Sequence, residues 1–151
     1  MPLDKRVIGS LWIFKLKRDS NGKVLKCVCA RGDQQTYEVD YNETFAPTLR
    51  YTTLRVLLLL ACSLDLEIEQ FDVVTAFLNA DVDEDIYMYP PPGLTGTSTH
   101  GQRLVCKLKR SLYGIKQTPR SWQALLSSWL LSYGFCQSKA DPSLYTLLRN
   151  H

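Results

Sequence analysis

The stretch from Thr118 to Gly134 constrains the fold most, because it places one apolar stripe between a clear start and a clear stop signal. Thr118-Pro119 is typical of a helix start, since proline is favoured in the first helical turn, and Gly134 is typical of a helix end. The apolar residues at helical spacing are Trp122, Leu125, Leu126, Trp129, Leu130 and Tyr133. The pattern predicts an amphipathic helix with one face for packing.

The beginning of the chain predicts a β-hairpin. Residues 11–18 alternate between apolar and polar toward their end and run into Asp19-Ser20-Asn21-Gly22, which are favoured hairpin-turn residues. Residues 23–31 are then the returning strand.

The middle of the chain mixes both element types. Residues 52–63 predict a buried helix that follows a Thr52 cap, with Leu54, Leu57, Leu58 and Ala61 on one face. Strands are predicted at 68–73, 85–88 and 105–108, a helical turn at 75–79 and a polar loop at 94–102. The irregular order predicts an α+β fold, an antiparallel sheet with helices packed on one face.

Composition narrows the class of protein. The chain of 151 residues is 45% hydrophobic and 22% charged, which is typical of one globular unit. Its most apolar stretch, 54–62, is far shorter than the roughly 20 residues that span a bilayer, so we expect an intracellular protein. Five scattered cysteines argue against a disulfide framework, and the lone Cys27-x-Cys29 pair argues against zinc.

Charge is unevenly distributed along the chain. Counting Lys and Arg against Asp and Glu gives +5 for residues 1–35, −9 for 36–100 and +7 for 101–151. Basic segments around an acidic one suit a protein that holds phosphates and a divalent metal, because phosphates need cations and metals need carboxylates. Ordinary surface charge explains the same numbers equally well.

Asp72 is the sharpest local feature, because it interrupts the apolar run from Phe71 to Leu78. A carboxylate buried there requires a partner. A metal ion, a basic side chain or the free N–H groups of a following helix would each serve, and by local physics the helix cap is favoured.

Other catalytic classes are excluded by spacing. A calcium loop counted from Asp81 puts Ile86 where glycine is needed and Pro92 where a bidentate Glu is needed. Nothing orients His100 or His151 for hydrolase chemistry, and no glycine-rich phosphate loop is present.

The order of short motifs across nearly the whole chain resembles the reverse transcriptase of copia-type LTR retrotransposons. The matching segments are Trp12-Ile13-Phe14-Lys15, Ala30-Arg31-Gly32-Asp33-Gln34-Gln35, Tyr41-Asn42-Glu43-Thr44-Phe45-Ala46-Pro47, Phe71-Asp72, Thr75-Ala76-Phe77-Leu78-Asn79, Ile86-Tyr87-Met88, Pro91-Pro92-Gly93, Ser111-Leu112-Tyr113-Gly114, Lys116-Gln117, Pro119-Arg120, Trp122 and Lys139-Ala140-Asp141-Pro142-Ser143-Leu144-Tyr145. Each is weak alone, but their shared order is specific.

The resemblance implies an RNA-directed DNA polymerase of right-hand shape, with residues 1 to about 35 in a fingers hairpin and about 36–151 in fingers and a partial palm. Asp72 would be the first catalytic aspartate and a ligand of two Mg²⁺ ions, and the Val73 carbonyl would complete the shell of one of them. Phe77 would lie under the deoxyribose and reject a 2′-hydroxyl; by periodicity alone it is a core residue.

The resemblance also assigns ligand contacts and partners. Nucleotide binding falls to Phe77, Lys17, Arg18, Lys26, Tyr113 and Gly114, and nucleic-acid binding to Lys15, Lys23, Lys116 and Arg120. Without the resemblance, the hairpin lysines are an exposed strand face and Tyr113-Gly114 is a plain turn. The implied partners are an RNA or DNA template with its primer, deoxynucleoside triphosphates, and the integrase and ribonuclease H of a polyprotein. The implied location is a cytoplasmic particle or the nucleus.

The sequence departs from the family in two ways. Residues 26–32 read as about three residues shorter than the family pattern, which predicts a damaged triphosphate clamp and a disturbed hairpin register. No Tyr-Val-Asp-Asp motif occurs in the chain, so we expect a truncated domain that is inactive alone and exposes an apolar palm face. The alternative function is a catalytically dead remnant that at most binds nucleic acid.

Overall fold

The computed structural model describes residues 5–18, 24–94 and 104–148, with the backbone alone for 14–18 and 24–27. Its elements in chain order are β1 (Val7–Ile8), β2 (Ser10–Arg18), β3 (Val24–Ala30), a 3₁₀ turn (Gly32–Gln34), α1 (Tyr51–Ser63), a second 3₁₀ turn (Ala76–Asn79), β4 (Tyr87–Met88), β5 (Cys106–Lys107), α2 (Thr118–Ser132), β6 (Cys136–Gln137) and β7 (Tyr145–Thr146). The mixed α+β class is confirmed.

The strands form three small sheets. In the first, β1 is parallel to β4 and β4 is antiparallel to β5. Strands β2 and β3 form the hairpin, and β6 and β7 form a short antiparallel ribbon. The predicted wholly antiparallel sheet is therefore wrong, because a long connection brings β4 beside β1 in the same direction.

The apolar core lies at this three-stranded sheet. Its buried residues are Ile8, Ala30, Ile86, Met88 and Ile115. Neither helix contributes a residue to the cluster, so the prediction that helices cover one face of the sheet is not what the described residues show. Helix α2 packs instead against the second 3₁₀ turn and β6.

The hairpin confirms both the predicted strands and the predicted disturbance of register. Ile13 pairs with Cys27, whereas the next pair toward the turn joins Lys17 to Leu25. Three β2 residues, 14–16, therefore face the single residue 26 of β3. The excess on β2 agrees with a shortened β3, since the strands pair regularly on both sides of the irregularity. The predicted turn, 19–22, lies outside the described residues.

Helix α1 is present, but its predicted burial is wrong. The helix contains no buried residue, and Leu59 is 70% exposed. It begins at Tyr51 after Arg50, so Thr52 is not its cap. The four consecutive leucines 57–60 lie on all sides of the helix and are between 36% and 70% exposed.

Residues 66–73 have no regular structure, so the predicted strand at 68–73 is wrong. A strand needs a neighbour to accept its backbone hydrogen bonds, and no strand in the described ranges pairs with this segment. The predicted helical turn at 75–79 is confirmed as the second 3₁₀ turn. The strands predicted at 85–88 and 105–108 are confirmed in the shorter β4 and β5.

Helix α2 confirms the prediction from its start and stop signals. Pro119 lies in the first turn, and Gly134 follows the last turn with a φ of +91°. The backbone N–H of Phe135 donates to the Leu130 carbonyl at 3.1 Å, which closes the helix end. None of the helices within the described ranges has the length and apolarity needed to traverse a bilayer.

Candidate functional site

The rings of Phe77 and Tyr113 lie in contact, with centroids 4.8 Å apart and planes inclined at 49°. Phe77 is held by the second 3₁₀ turn and Tyr113 by the turn that follows β5, and both are half-buried. The structure thus brings together two residues that the resemblance assigned to nucleotide binding from separate motifs. Phe77 also lines a cavity of about 270 Å³ together with Trp122 and Tyr145.

The turn that carries Tyr113 is fixed to the end of the hairpin. Ile115 N–H donates to the Leu112 carbonyl at 3.3 Å, and Gly114 in between has a φ of +93°. Ala30 N–H donates to the Tyr113 carbonyl at 2.9 Å, and a Cβ on Gly114 would lie 2.1 Å from the Ala30 oxygen. Within the described residues, Gly114 therefore lies directly against the chain's own backbone.

Gly32 completes this contact from the hairpin side. A Cβ at Gly32 would lie 1.9 Å from the Gly114 oxygen, a distance that no side chain tolerates. Two glycines thus let the hairpin and the Tyr113 turn touch backbone to backbone.

Lys116 is engaged inside the protein. Its Nζ lies 3.3 Å from the Gln35 carbonyl oxygen, 3.3 Å from the Tyr41 hydroxyl and 4.7 Å from the Tyr41 ring centroid. The residue as a whole is exposed at the same time. Lys116 is thus held in place while still accessible to an anion.

A buried polar network behind Lys116 was missed by the sequence reasoning. Gln35 Nε2 donates to Gln117 Oε1 at 3.0 Å, and Gln117 Nε2 donates to the Asp40 carbonyl at 2.9 Å and to Glu84 Oε2 at 3.0 Å. Glutamine carries no periodicity that marks it as buried, so no local pattern would have found these contacts.

Asp72 stands on the surface rather than in an apolar interior. It is exposed, and its neighbours Phe71 and Val74 are 84% and 77% exposed. The helix-cap interpretation is wrong, because the following 3₁₀ turn begins after Thr75 and receives no side-chain cap. The premise that burial forces a partner on Asp72 is also wrong. Val73, the other predicted metal ligand, is likewise exposed.

Thr75 gives the Asp72 segment an unusual backbone. Its φ of +52° and ψ of 36° lie in the left-handed region, which a β-branched residue rarely adopts. Its carbonyl accepts from Leu78 N–H at 2.9 Å. This strained residue turns the chain between Asp72 and Phe77.

The predicted two-ion metal site is not assembled by the described residues. No group of three or more His, Cys, Asp or Glu side chains within 5–18, 24–94 and 104–148 could hold a metal ion. Asp72 alone supplies one carboxylate, whereas two divalent ions need several oxygen ligands.

The predicted basic contacts are only partly described. Lys15, Lys17 and Arg18 lie on β2 and Lys26 on β3, with side chains outside the described part, and Lys23 lies outside it altogether. Arg120 is exposed in the first turn of α2.

Asp141 is a further residue whose role the sequence did not indicate. Its buried carboxylate accepts from Thr53 Oγ1 at 2.7 Å, Arg50 N–H at 3.1 Å and Ser143 N–H at 3.0 Å. The Thr53 hydroxyl, followed by the two N–H groups, lowers the pKa of Asp141 below its ordinary value. One carboxylate thus ties the β6–β7 ribbon to the start of α1.

Comparison with known proteins defines the class. A family model described as reverse transcriptase (RNA-dependent DNA polymerase) matches residues 1–150. The chain belongs to this family. No solved structure matches it.

The relatives are polyproteins of transposons. The chain is 40% identical over 148 residues to the retrovirus-related Pol polyprotein from transposon TNT 1-94 of Nicotiana tabacum, covering 96% of this chain and 11% of that protein. It is 38% identical over 151 residues to the Pol polyprotein from transposon RE1 of Arabidopsis thaliana, covering 98% and 10%. Over 127 residues it is 36% identical to the transposon Ty1-BL Gag-Pol polyprotein of Saccharomyces cerevisiae, covering 84% and 7%.

These matches confirm the predicted resemblance to copia-type Pol polyproteins. The chain spans about a tenth of the length of the plant relatives it matches. It therefore corresponds to part of the reverse transcriptase region in such proteins.

Proposed function

We propose that the protein containing this chain is an RNA-directed DNA polymerase, a nucleotidyltransferase that extends a primer on an RNA or DNA template. The observation that supports this most is the contact of Phe77 with Tyr113 at 4.8 Å. The two rings come from motifs 36 residues apart, and both motifs resemble segments to which we assign nucleotide binding. Residues up to about 35 are proposed for the fingers and about 36–151 for fingers and palm.

The nucleotide site is proposed around Phe77. Its ring would lie under the deoxyribose, where a 2′-hydroxyl would collide with it, and this discriminates against ribonucleotides. Tyr113 and Gly114 would face the incoming base, while Lys17, Arg18 and Lys26 would contact the triphosphate. Contact of Tyr113 with Phe77 limits the freedom of the Phe77 ring, which a steric filter requires.

The nucleic-acid contacts are proposed at Lys15, Lys23, Lys116 and Arg120, since cations attract the phosphates of a template and primer. Asp72 is proposed as a catalytic carboxylate and, with the Val73 carbonyl, as a ligand for Mg²⁺. Divalent ions are general in the family, but binding here needs further oxygen ligands beyond those in the described residues.

The wider setting is proposed from the resemblance to copia-type retrotransposons. We infer a polyprotein that also contains integrase and ribonuclease H, acting inside the cell in a cytoplasmic particle or in the nucleus. Deoxynucleoside triphosphates are its proposed small-molecule substrates.

The alternative, a catalytically dead remnant that binds nucleic acid, is favoured by one specific observation. The β2–β3 register is interrupted where three residues face one, in the hairpin proposed to hold the triphosphate. We propose that the 151-residue chain alone is inactive. Mg²⁺-dependent extension of a DNA primer on an RNA template by the purified chain would contradict this.

Weak nucleotide binding tests the proposal without requiring turnover. Saturation-transfer NMR on the 151-residue chain would compare dATP with ATP, because this method detects millimolar affinities. We expect stronger saturation of dATP and loss of the preference in Phe77→Ala. The matched control is Phe45→Ala, since Phe45 is exposed and lies in no proposed contact. Equal saturation of dATP and ATP by the unaltered chain would remove the nucleotide site.

A further inference from the structure

A short loop at residues 36–41 closes on itself. Thr36 N–H donates to Asp40 Oδ2 at 2.8 Å, and Asp40 N–H donates back to the Thr36 carbonyl at 2.9 Å. Glu38, with a φ of +66°, donates its N–H to the Tyr41 carbonyl at 2.9 Å. The loop therefore has a fixed shape, with Tyr37 and Tyr41 bridged at its two ends.

The buried side of this loop contacts a polar network whose side chains are hydrogen-bonded to one another. Asp40 is 1% exposed, and its carbonyl accepts from buried Gln117, which in turn accepts from buried Gln35. No buried side-chain N or O atom within the described ranges lacks a hydrogen-bond partner. Buried polar groups are costly unless they are bonded, so a complete network selects one conformation of the loop.

The outer side of the loop presents aromatic rings beside cations. Tyr37 is 58% exposed and meets Tyr41 edge-on, with centroids 5.7 Å apart at 63°. Lys116 Nζ lies over the Tyr41 ring at 4.7 Å. Arg6 Nη1 lies 3.5 Å from the Thr36 hydroxyl, which places a second cation at the base of the loop.

The exposed cations at this surface are Arg6 and Lys116, whereas the Asp40 carboxylate is buried and Glu84 accepts from Gln117 in the network behind them. Glu38 is the exposed carboxylate on the loop itself, and it opposes the two cations Arg6 and Lys116. Asp33 is paired with Arg31 at 2.7 Å and is neutralised locally. An exposed tyrosine with cations on neighbouring residues is an arrangement with which proteins bind single-stranded nucleic acid, because bases stack on rings and phosphates need positive charge.

We propose that Tyr37, Tyr41 and Lys116 form a stacking platform for an unpaired base of a nucleic-acid strand. Tyr37 stacks on the base, Tyr41 supports the Tyr37 ring, and Lys116 and Arg6 contact the flanking phosphates. The platform rests on the proposed function, because it specifies how the chain holds a strand. Neither Tyr37 nor Tyr41 is among the residues proposed above for nucleotide or nucleic-acid contacts.

Fluorescence anisotropy with labelled twelve-nucleotide strands of dT and rU tests the platform at low salt. Tyr37→Ala is expected to weaken binding about tenfold, since stacking one base contributes on that order. Tyr37→Phe keeps the ring and is expected to stay within about twofold. The matched control is Tyr51→Ala on α1, because Tyr51 is also an exposed tyrosine, at 79%.

Two further measurements separate stacking from general charge attraction. A blunt duplex offers no unpaired base, so Tyr37→Ala should bind it as the unaltered chain does. Lys116→Gln should reduce the slope of log affinity against log salt by about 0.7, the value for one phosphate contact on a single strand.

The outcomes distinguish the platform from the wider proposal. If strands bind and Tyr37→Ala matches Tyr51→Ala, the platform is refuted while nucleic-acid binding stands. If Tyr37→Ala weakens duplex and single strand equally, stacking is refuted in favour of a generic effect. If the unaltered chain binds no strand at low salt, the platform and the proposed nucleic-acid function fall together.

Discussion

Replacing Gly114 by alanine tests whether the Tyr113 turn is fixed to the hairpin by direct backbone contact. The new Cβ would lie 2.1 Å from the Ala30 oxygen and 3.2 Å from the Ala30 carbonyl carbon. Both are backbone atoms, so no side-chain rotation relieves the overlap. The turn has to move, which breaks the hydrogen bond from Ala30 N–H to the Tyr113 carbonyl.

The expected loss in the free energy of unfolding of Gly114→Ala has two separable contributions. A non-glycine residue at a φ of +93° costs about 1–2 kcal/mol in the backbone itself. Displacement of the turn adds the lost hydrogen bond, worth about 0.5–1.5 kcal/mol, together with weaker packing of Tyr113 on Phe77. The second contribution is the one that depends on contact with the hairpin.

Gly93 provides the matched control, because its φ is +88° and a Cβ there meets nothing within 4 Å. Gly93→Ala therefore measures backbone strain alone. We expect Gly114→Ala to cost about 1–2 kcal/mol more than Gly93→Ala, which lowers the unfolding midpoint by roughly 2–8 °C further in a chain of this size. Gly32→Ala, with a Cβ 1.9 Å from the Gly114 oxygen, should show the displacement cost from the other side.

Thermal unfolding followed by near-ultraviolet circular dichroism would measure these midpoints, since Tyr113 and the tryptophans contribute to that signal. Equal midpoints for Gly114→Ala and Gly93→Ala would show that the turn and hairpin are not in contact. That result would also remove the structural reason for Tyr113 lying against Phe77.

Three further predictions concern other parts of the chain. The lowered pKa of Asp141 contributes stability that is fully present above its unfolded pKa of about 3.9 and is lost as pH falls through the folded pKa. The difference in unfolding midpoint between the unaltered chain and Asp141→Asn should therefore be constant above about pH 5 and shrink below about pH 4. A difference that stays unchanged down to about pH 3 would contradict this role of Asp141. The exposed apolar surface of α1 should make the chain self-associate, so Leu59→Glu should weaken the association measured by analytical ultracentrifugation at least about tenfold. An unaltered chain that is monomeric at high concentration would refute the predicted self-association. Inserting two residues between Lys26 and Cys27 should restore one continuous β2–β3 register and slow hydrogen exchange at residues 14–16; unchanged exchange there would show that the irregularity has another cause.

Some of the fold was predictable because its signals are local. The helix from Thr118 is bounded by Pro119 and Gly134, whose conformational preferences act within one turn of chain. The hairpin was predictable from its turn residues and strand alternation, and its register disturbance from the short segment before Gly32. The 3₁₀ turn carrying Phe77 also follows from local spacing.

The errors have a common cause in missing neighbours. An apolar run such as that around Leu59 predicts burial only if another element covers it, and Leu59 is 70% exposed. The same reason explains the absent strand at 68–73 and the exposed position of Asp72. Periodicity reports what a segment is suited to contact, not whether the contact is made.

The sequence by itself determined the family, the two helices, the hairpin and the residues proposed for chemistry, because motif order and local propensity are properties of the chain. Only the tertiary structure decided which of those residues meet. In the folded chain Phe77 contacts Tyr113, and Gly114 lies against Ala30 and Gly32. Asp141 is hydrogen-bonded to the start of α1. These contacts join residues that are distant in sequence, and their distances depend on how whole elements pack, which no short stretch of sequence encodes.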